Sequence, residues 1–437
     1  MTHPDHVVQL KPQLENSFSC PECHTEQPTI REVLIQPVCE MADCQCRKCG
    51  LAFYQSLPVG HTAHETISVS KASGKVFGSE TSWLSGIAQQ ISKLSGKEKF
   101  TIKKRVFRDA KNVVILNTLD FLYGHVLLKL LNAENHLSQH KGLGLIVIVP
   151  KSFEWLIPSG CAETWVVHGK LNDFRYGYEA IQTFIKQQMV RFDKVYLSKA
   201  YSHPDLAKID IARFTGVRPF NLQRFHELTP TITVILREDR WWFTNILDYW
   251  TYRVCRKFKL QSLGNKFLSW RQNCLVKKTI KEVQQKLPSA ECIIVGLGKT
   301  GMFGNLAKDM RQTDLNSTIE SDWCRVYARS HVVVGVHGSN MLLPTGLSAG
   351  CVEILPVDRY PNIVQDISSR YNDRRQLFFY RFADQYAKPA SVAEKIVSIV
   401  RDYESFNRNM NAKPRIHRTF RQHRGRRHDH DLSSTDR

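Results

Sequence analysis

No stretch of this chain approaches the roughly 18 consecutive apolar residues that a membrane-spanning helix requires. The longest apolar run, residues 145–149, has the length of a buried strand. The first residues carry His3, Pro4, Asp5 and His6 where a leader would place a basic segment followed by an apolar one, so no secretory signal is expected and the protein is expected in the cytoplasm. No repeat of fixed period runs through the 437 residues. Acidic residues are few: 41 Asp and Glu against 61 Lys and Arg give a formal net charge of +20. That balance favours polyanionic partners, namely nucleic acid, an anionic membrane or a phosphorylated substrate, without choosing among them. D-x-D triplets are scarce as well. The only one, Asp429-x-Asp431, lies in the Arg- and His-rich segment 411–437, which is too polar to build a core and is expected to be a disordered basic tail. An enzyme that grips a divalent cation through carboxylates needs them at a rigid strand end, so no cofactor is expected for catalysis.

What is present is unevenly spread. Of the 12 cysteines, Cys20, Cys23, Cys39, Cys44, Cys46 and Cys49 all precede residue 50. In a cytoplasmic chain such a cluster reads as metal binding, not disulfides. Cys20-x-x-Cys23 and Cys46-x-x-Cys49 are two turns that each aim two thiolates at one point, and together they supply the four sulfurs of a tetrahedral zinc. Gly50 permits the tight backbone after the second pair. Residues 18–54 are therefore expected to form a zinc-ribbon-like module with a closed, structural metal, leaving Cys39 and Cys44 spare.

Beyond residue 110 the pattern changes to short apolar runs alternating with amphipathic stretches. Strands are expected at 113–116, 145–149, 164–167 and 194–197, with helices at 123–131 and 178–188 between them. A second block places strands at 231–236, 291–295, 332–336 and 351–355, with helices at 280–287, 317–329 and 391–406. Strand–helix alternation predicts parallel sheets. The expected fold class is thus α/β: two Rossmann-like lobes, residues 111–229 and 230–410, with a cleft between them behind the zinc ribbon.

Two motifs fall in the second block. Gly296, Gly298 and Gly301 match the G-x-G-x-x-G dinucleotide fingerprint after a strand. The residues that follow open a helix poorly, so the better reading is a glycine-rich loop lining the cleft. The segment from Val332 through His337, Gly338, Ser339 and Asn340 to Glu353 runs from a buried strand through a glycine turn into a capped helix. Free N–H groups at a helix start bind phosphate, and His337 and Asn340 can add side-chain donors. The plainer alternative is a strand–turn–helix with Ser339 or Asn340 as the N-cap.

Residues 317–355 resemble the signature of glycosyltransferase family 61: a helix, an apolar strand, a G-x-H-G-[AS] turn, an asparagine, an apolar helix containing proline, and a Val-Glu-[IL] strand. The strand ending in Arg237 and the Gly124-His125-x-Leu helix start are similar to two further pieces of that family. The resemblance implies a two-lobed GT-B-like fold and an inverting transfer from a nucleotide-sugar donor to a glycan or glycolipid hydroxyl. It places Arg237, His337, Gly338, Ser339 and Asn340 around the donor phosphates and Glu353 near the ribose or base. The zinc module and the long basic segment 239–286 depart from the family. An inverting transfer needs a general base, and the first lobe offers Asp120 and His125 after its first strong strand. Two other classes remain open on the residues alone: a zinc-ribbon nucleic-acid binder using the basic tail, although nucleic acid is not the expected partner, and a nicotinamide-dependent enzyme resting on Gly296, Gly298 and Gly301. A peripheral position on an anionic membrane is also expected, because Trp241, Trp242, Phe243, Tyr249, Trp250 and Tyr252 precede Arg253, Arg256, Lys257, Lys259, Lys266 and Arg271.

Overall fold

The computed structural model describes residues 6–15, 17–78, 83–94, 100–237, 240–363, 367 and 379–410. The basic tail 411–437, with Asp429 and Asp431, lies outside them. The architecture is mixed α/β, with two lobes built on parallel sheets and a cysteine-bearing antiparallel sheet in front.

After β1 (Val7–Lys11), the strands β2 (Thr29–Leu34), β3 (Met41–Gln45), β4 (Ala52–Ser56), β5 (Ser68–Ser70) and β6 (Val76–Phe77) form an antiparallel meander in chain order. The first lobe follows with β7 (Thr101–Val106), β8 (Asn112–Asn117), β9 (Gly144–Pro150), β10 (Glu163–His168) and β11 (Lys194–Ser198). Its sheet has the order β1-β11-β8-β9-β10-β7. The inner four strands are parallel, and their Val- and Ile-rich sequences are buried on both faces, as helices on either side demand. The two edges, β1 and β7, are antiparallel. β7 was not expected from sequence because its residues, including Lys103, Lys104 and Arg105, are mostly exposed; a lysine-rich strand is one way to blunt a sheet edge. β1 pairs with a strand some 190 residues further on, as in Val7 with Ser198, which no local pattern announces.

The second lobe contains β12 (Thr231–Leu236), β13 (Glu291–Gly296), β14 (Lys308–Asp309), β15 (Val332–Val336), β16 (Gly350–Leu355) and β17 (Tyr380–Asp384). All pairings are parallel and the order is β14-β13-β12-β15-β16-β17. Numbered along the chain this is 3-2-1-4-5-6, the order of a dinucleotide-binding Rossmann sheet. The chain reverses direction across the sheet between β12 and β15. The equivalent reversal in the first lobe falls between β8 and β11. Crevices outside the C-terminal strand ends at such points are where open α/β sheets take ligands.

The three parts are packed together. Cys20, Cys44 and Phe53 of the meander share one core with Val113, Trp165 and Val195 of the first lobe. Gln182 of the first lobe accepts from the Ile35 N–H at 3.1 Å, and Gln36 accepts from that of Tyr178 at 2.8 Å. A second core joins Val114, Leu116 and Val126 of the first lobe to Ile235, Val295 and Met341 of the second.

Two expectations need correction. The helix expected at 280–287 is the last part of Gln261–Lys286, a 26-residue helix preceded by Ile246–Lys257. The aromatic stretch divides: Trp241, Trp242 and Phe243 are core residues, and Trp242 donates to the Ala387 carbonyl at 2.8 Å, whereas Trp250 is exposed.

Candidate functional site

The second-lobe reversal point is built by β12, whose end carries Arg237, and by the turn after β15. The Arg237 guanidinium donates to Asn340 Oδ1 at 2.8 Å, bridging the two sides. Gly338 has φ of +154°, a conformation that favours glycine, and a Cβ there would be 2.7 Å from the end of the Arg240 side chain. Arg240 in turn donates to the His337 carbonyl at 2.6 Å. After Gly338 the backbone makes one 3₁₀ turn, Ser339–Met341, and a short helix, Leu342–Leu347.

Arg237, Ser339 and Asn340 border a cavity of about 230 Å³ that also includes Leu297 after β13 and Glu320, Trp323 and Tyr327 of the helix Ser317–Tyr327. Its lining includes Tyr123 of the first lobe, whose hydroxyl donates to Glu320 Oε1 at 2.7 Å. Burial pushes the Glu320 carboxyl up to about 7, and the Tyr123 hydrogen bond only partly opposes this. Sequence reasoning missed Glu320, and its position within an ordinary amphipathic helix gives no signal for it. A larger trough of about 900 Å³, lined by Gln13, Phe18, Arg31 and Lys186 among others, shares no residue with this cavity.

Arg237, Ser339 and Asn340 thus come together at the cavity, with Gly338 directly behind them. His337 and Glu353 do not line it. Both are fully buried, and they share a 2.5 Å hydrogen bond between His337 Nδ1 and Glu353 Oε2 beneath the turn. Their hydrogen bond ties the turn after β15 to β16. The glycine-rich loop after β13 leads to a 3₁₀ turn, Gly304–Leu306, and to β14. A dinucleotide fingerprint needs a helix N-terminus there, so the lining-loop reading is the one the geometry supports.

The first-lobe reversal point carries the second cluster. Asp120 follows β8 and is fully buried. Its Oδ1 accepts from the Leu122 N–H at 3.0 Å and lies 3.4 Å from His125 Nδ1. Its Oδ2 lies 3.1 Å from His61 Nε2 and 3.2 Å from Lys129 Nζ. Burial alone would raise the Asp120 carboxyl, but the Lys129 ammonium and the two histidines outweigh it and hold it well below the usual carboxylate range. Burial brings His61 down to about 4, so it is neutral at physiological pH. His125 reaches the surface, its side chain 20% exposed. The preceding residue, Gly124, abuts the other lobe: a Cβ there would meet the Ser339 Cβ at 2.4 Å.

Sequence reasoning found Asp120 and His125 but missed two partners. Lys129 lies on the apolar face of the helix Tyr123–Leu131 and is buried; a lysine at such a position was a readable signal. His61 comes from the meander, 59 residues before Asp120, and nothing local marks it. Ligand atoms of His61, Asp120 and His125 all lie within 4.8 Å of one another, as a metal triad would require. The Lys129 ammonium on the same carboxylate opposes a dication there.

Cys20, Cys23, Cys46 and Cys49 converge, with all four sulfurs within 4.8 Å of one another. Cys20 and Cys49 are 3.6 Å apart and Cys23 and Cys46 3.5 Å. A tetrahedron with Zn–S bonds of about 2.3 Å has edges of about 3.8 Å, so the donor set fits zinc. Cys39 and Cys44 are buried apart from it, and burial pushes both thiols up to about 12.

No family model matches the chain, and no curated protein matches it. Among solved structures it is similar to a UDP-N-acetylglucosamine 2-epimerase of Listeria monocytogenes, at 10% identity over 66% of this chain and 73% of that one, with a TM-score of 0.30. It is also similar to TarM, at 10% identity over 92% and 74% with a TM-score of 0.25. A third is the glycotransferase of kitacinnamycin, at 14% identity over 67% and 72% with a TM-score of 0.23.

Proposed function

We propose that the protein is an inverting, metal-independent glycosyltransferase that takes a sugar from a nucleotide donor on the second lobe and passes it to a glycan or glycolipid hydroxyl at the first. The observation that carries this reading is the cavity at the reversal point of a 3-2-1-4-5-6 sheet, bordered by Arg237 and Asn340 and closed by Tyr123 from the facing lobe. Arg237 and the backbone N–H groups of the turn after Gly338 would balance the charge of the departing diphosphate. His125, held by Asp120 through Nδ1, has the environment of a general base: a buried anion orients the ring and stabilises the imidazolium that forms on taking the acceptor proton. The zinc would hold Cys20, Cys23, Cys46 and Cys49 together and do no chemistry, since four protein sulfurs leave no open position.

The competing classes differ in what they bind. A thermal-shift panel of nucleotide sugars, nicotinamide dinucleotides and random duplex DNA separates them. At a ligand concentration 100-fold above Kd, a cognate nucleotide sugar adds about 2.7 kcal/mol of stability, and the expected result is a shift with at least one nucleotide sugar or its diphosphate and none with the dinucleotides. A shift with nicotinamide dinucleotides alone, or with DNA alone, overturns the proposal.

A further inference from the structure

Exposed large apolar side chains are concentrated in one place. Among the described residues there are 18, and nine of them fall in the 25 residues from Ile246 to Trp270, exposed by 43 to 72%. They belong to the helices Ile246–Lys257 and Gln261–Lys286 and the short link between them. Ile246, Trp250, Val254 and Phe258 recur every four residues and so form one stripe along the first helix. Leu260 and Leu263 continue the apolar surface around the link. The remainder of the long helix is anchored differently: Leu275, Ile280 and Val283 are buried in the core of the second lobe. A hairpin anchored in the second lobe thus projects an apolar tip that no other described residue covers. Contiguous exposed patches of this kind mark interaction surfaces.

Charge indicates what covers it. Arg253, Arg256, Lys257, Lys259 and Lys266 are all exposed on the hairpin. The only acidic residue from Ile246 to Arg271 is Asp248, which is buried and paired with Arg271 at 3.3 Å. A second copy of the chain would bring the same excess of positive charge against itself. No helix is long and apolar enough to cross a membrane. Apolar and tryptophan side chains beside lysine and arginine suit the boundary of an anionic bilayer, where the rings enter the interface and the cations remain among the headgroups.

We propose that the tip of the helical hairpin 246–270 docks on an anionic membrane surface, its apolar stripe in the interface and its basic residues on the headgroups. This is independent of the transfer chemistry. It differs from the sequence expectation in its residues: Trp241, Trp242 and Phe243 belong to the core, and Phe258, Leu263 and Trp270 belong to the surface.

The test is co-sedimentation of the full-length protein with vesicles of phosphatidylcholine alone and of phosphatidylcholine with phosphatidylglycerol. Binding is expected to the anionic vesicles and to weaken roughly tenfold or more as salt is raised. Each basic residue near such a surface strengthens partition about fivefold, so Arg256→Glu/Lys257→Glu/Lys259→Glu is expected to weaken it by roughly a hundredfold or more. Trp250→Ser/Phe258→Ser/Leu263→Ser is expected to abolish binding while the melting temperature, read in parallel, stays unchanged. Equal binding to both kinds of vesicle, or none to either, overturns the proposal. So does undiminished binding by both variants, which would assign the affinity to the tail 411–437. Gel filtration showing a dimer that the serine variant dissociates would assign the patch to self-association and overturn it too.

Discussion

His125→Ala is expected to lower turnover by roughly a hundredfold or more, the usual scale for loss of a general base, while nucleotide affinity is retained. His125 reaches solvent one residue from the contact between the lobes, whereas the Asp120 carboxylate beside it is buried and held ionised by Lys129. In the proposed mechanism Asp120 positions His125, and Asp120→Asn is expected to depress kcat comparably with little change in KM for the donor. It should also lower stability by about 3–5 kcal/mol, because Lys129 is left buried without its anion. Kinetics with an identified acceptor, or of transfer to water in its absence, together with a melting curve, check both variants. Near-full turnover in His125→Ala would remove the base assignment.

Loss of zinc is expected to have the largest effect on stability. Elemental analysis should find about one zinc per chain, and structural zinc sites contribute apparent binding free energies of about 10–16 kcal/mol. The module is expected to unfold on chelation or in Cys20→Ser, and the damage is expected to spread. Cys20, Cys44 and Cys46 share a core with Val113, Trp165 and Val195, so the first lobe loses part of its packing. His61, delivered to Asp120 by the loop after β4, is released as well. The shared core predicts that only the second lobe survives. Hydrogen exchange should show new opening in β2–β6, β8 and β11 and protection retained in β12, β15 and β16. A metal-free preparation with four reactive thiols at these positions and unchanged melting would contradict the assignment.

The inner parallel strands of both lobes were legible in the sequence because each is a short apolar run bounded by turns; β12 and β15 fall at the expected residues. The edge strands were not, since β7 exposes most of its side chains and β1 is defined only by a distant partner. The cysteine spacing was legible because zinc geometry is written in the short turns themselves. At the candidate site, the position after the first strong strand led to Asp120 and His125, His125 also through the Gly124-His125-x-Leu resemblance, and Arg237 and Asn340 converge at the cavity. His337 and Glu353 look like ligand contacts in sequence because they flank a strand–turn–helix of phosphate-binding type and fall in the family-like segment. Their companion proves to be each other across adjacent strands. His61 and Glu320 were invisible because tertiary packing alone gives them their neighbours.

The claim on which the rest depends is that a nucleoside diphosphate binds where β12 and β15 diverge. Isothermal titration of nucleoside diphosphates into the wild type and Arg237→Ala tests it most directly. Loss of a hydrogen bond to a charged group costs about 1.5–3 kcal/mol, so at least one diphosphate is expected to bind, and Arg237→Ala to weaken it by roughly ten- to a hundredfold. Binding by none of them, or equal affinity in the two proteins, would contradict the assignment of this cavity as the donor site.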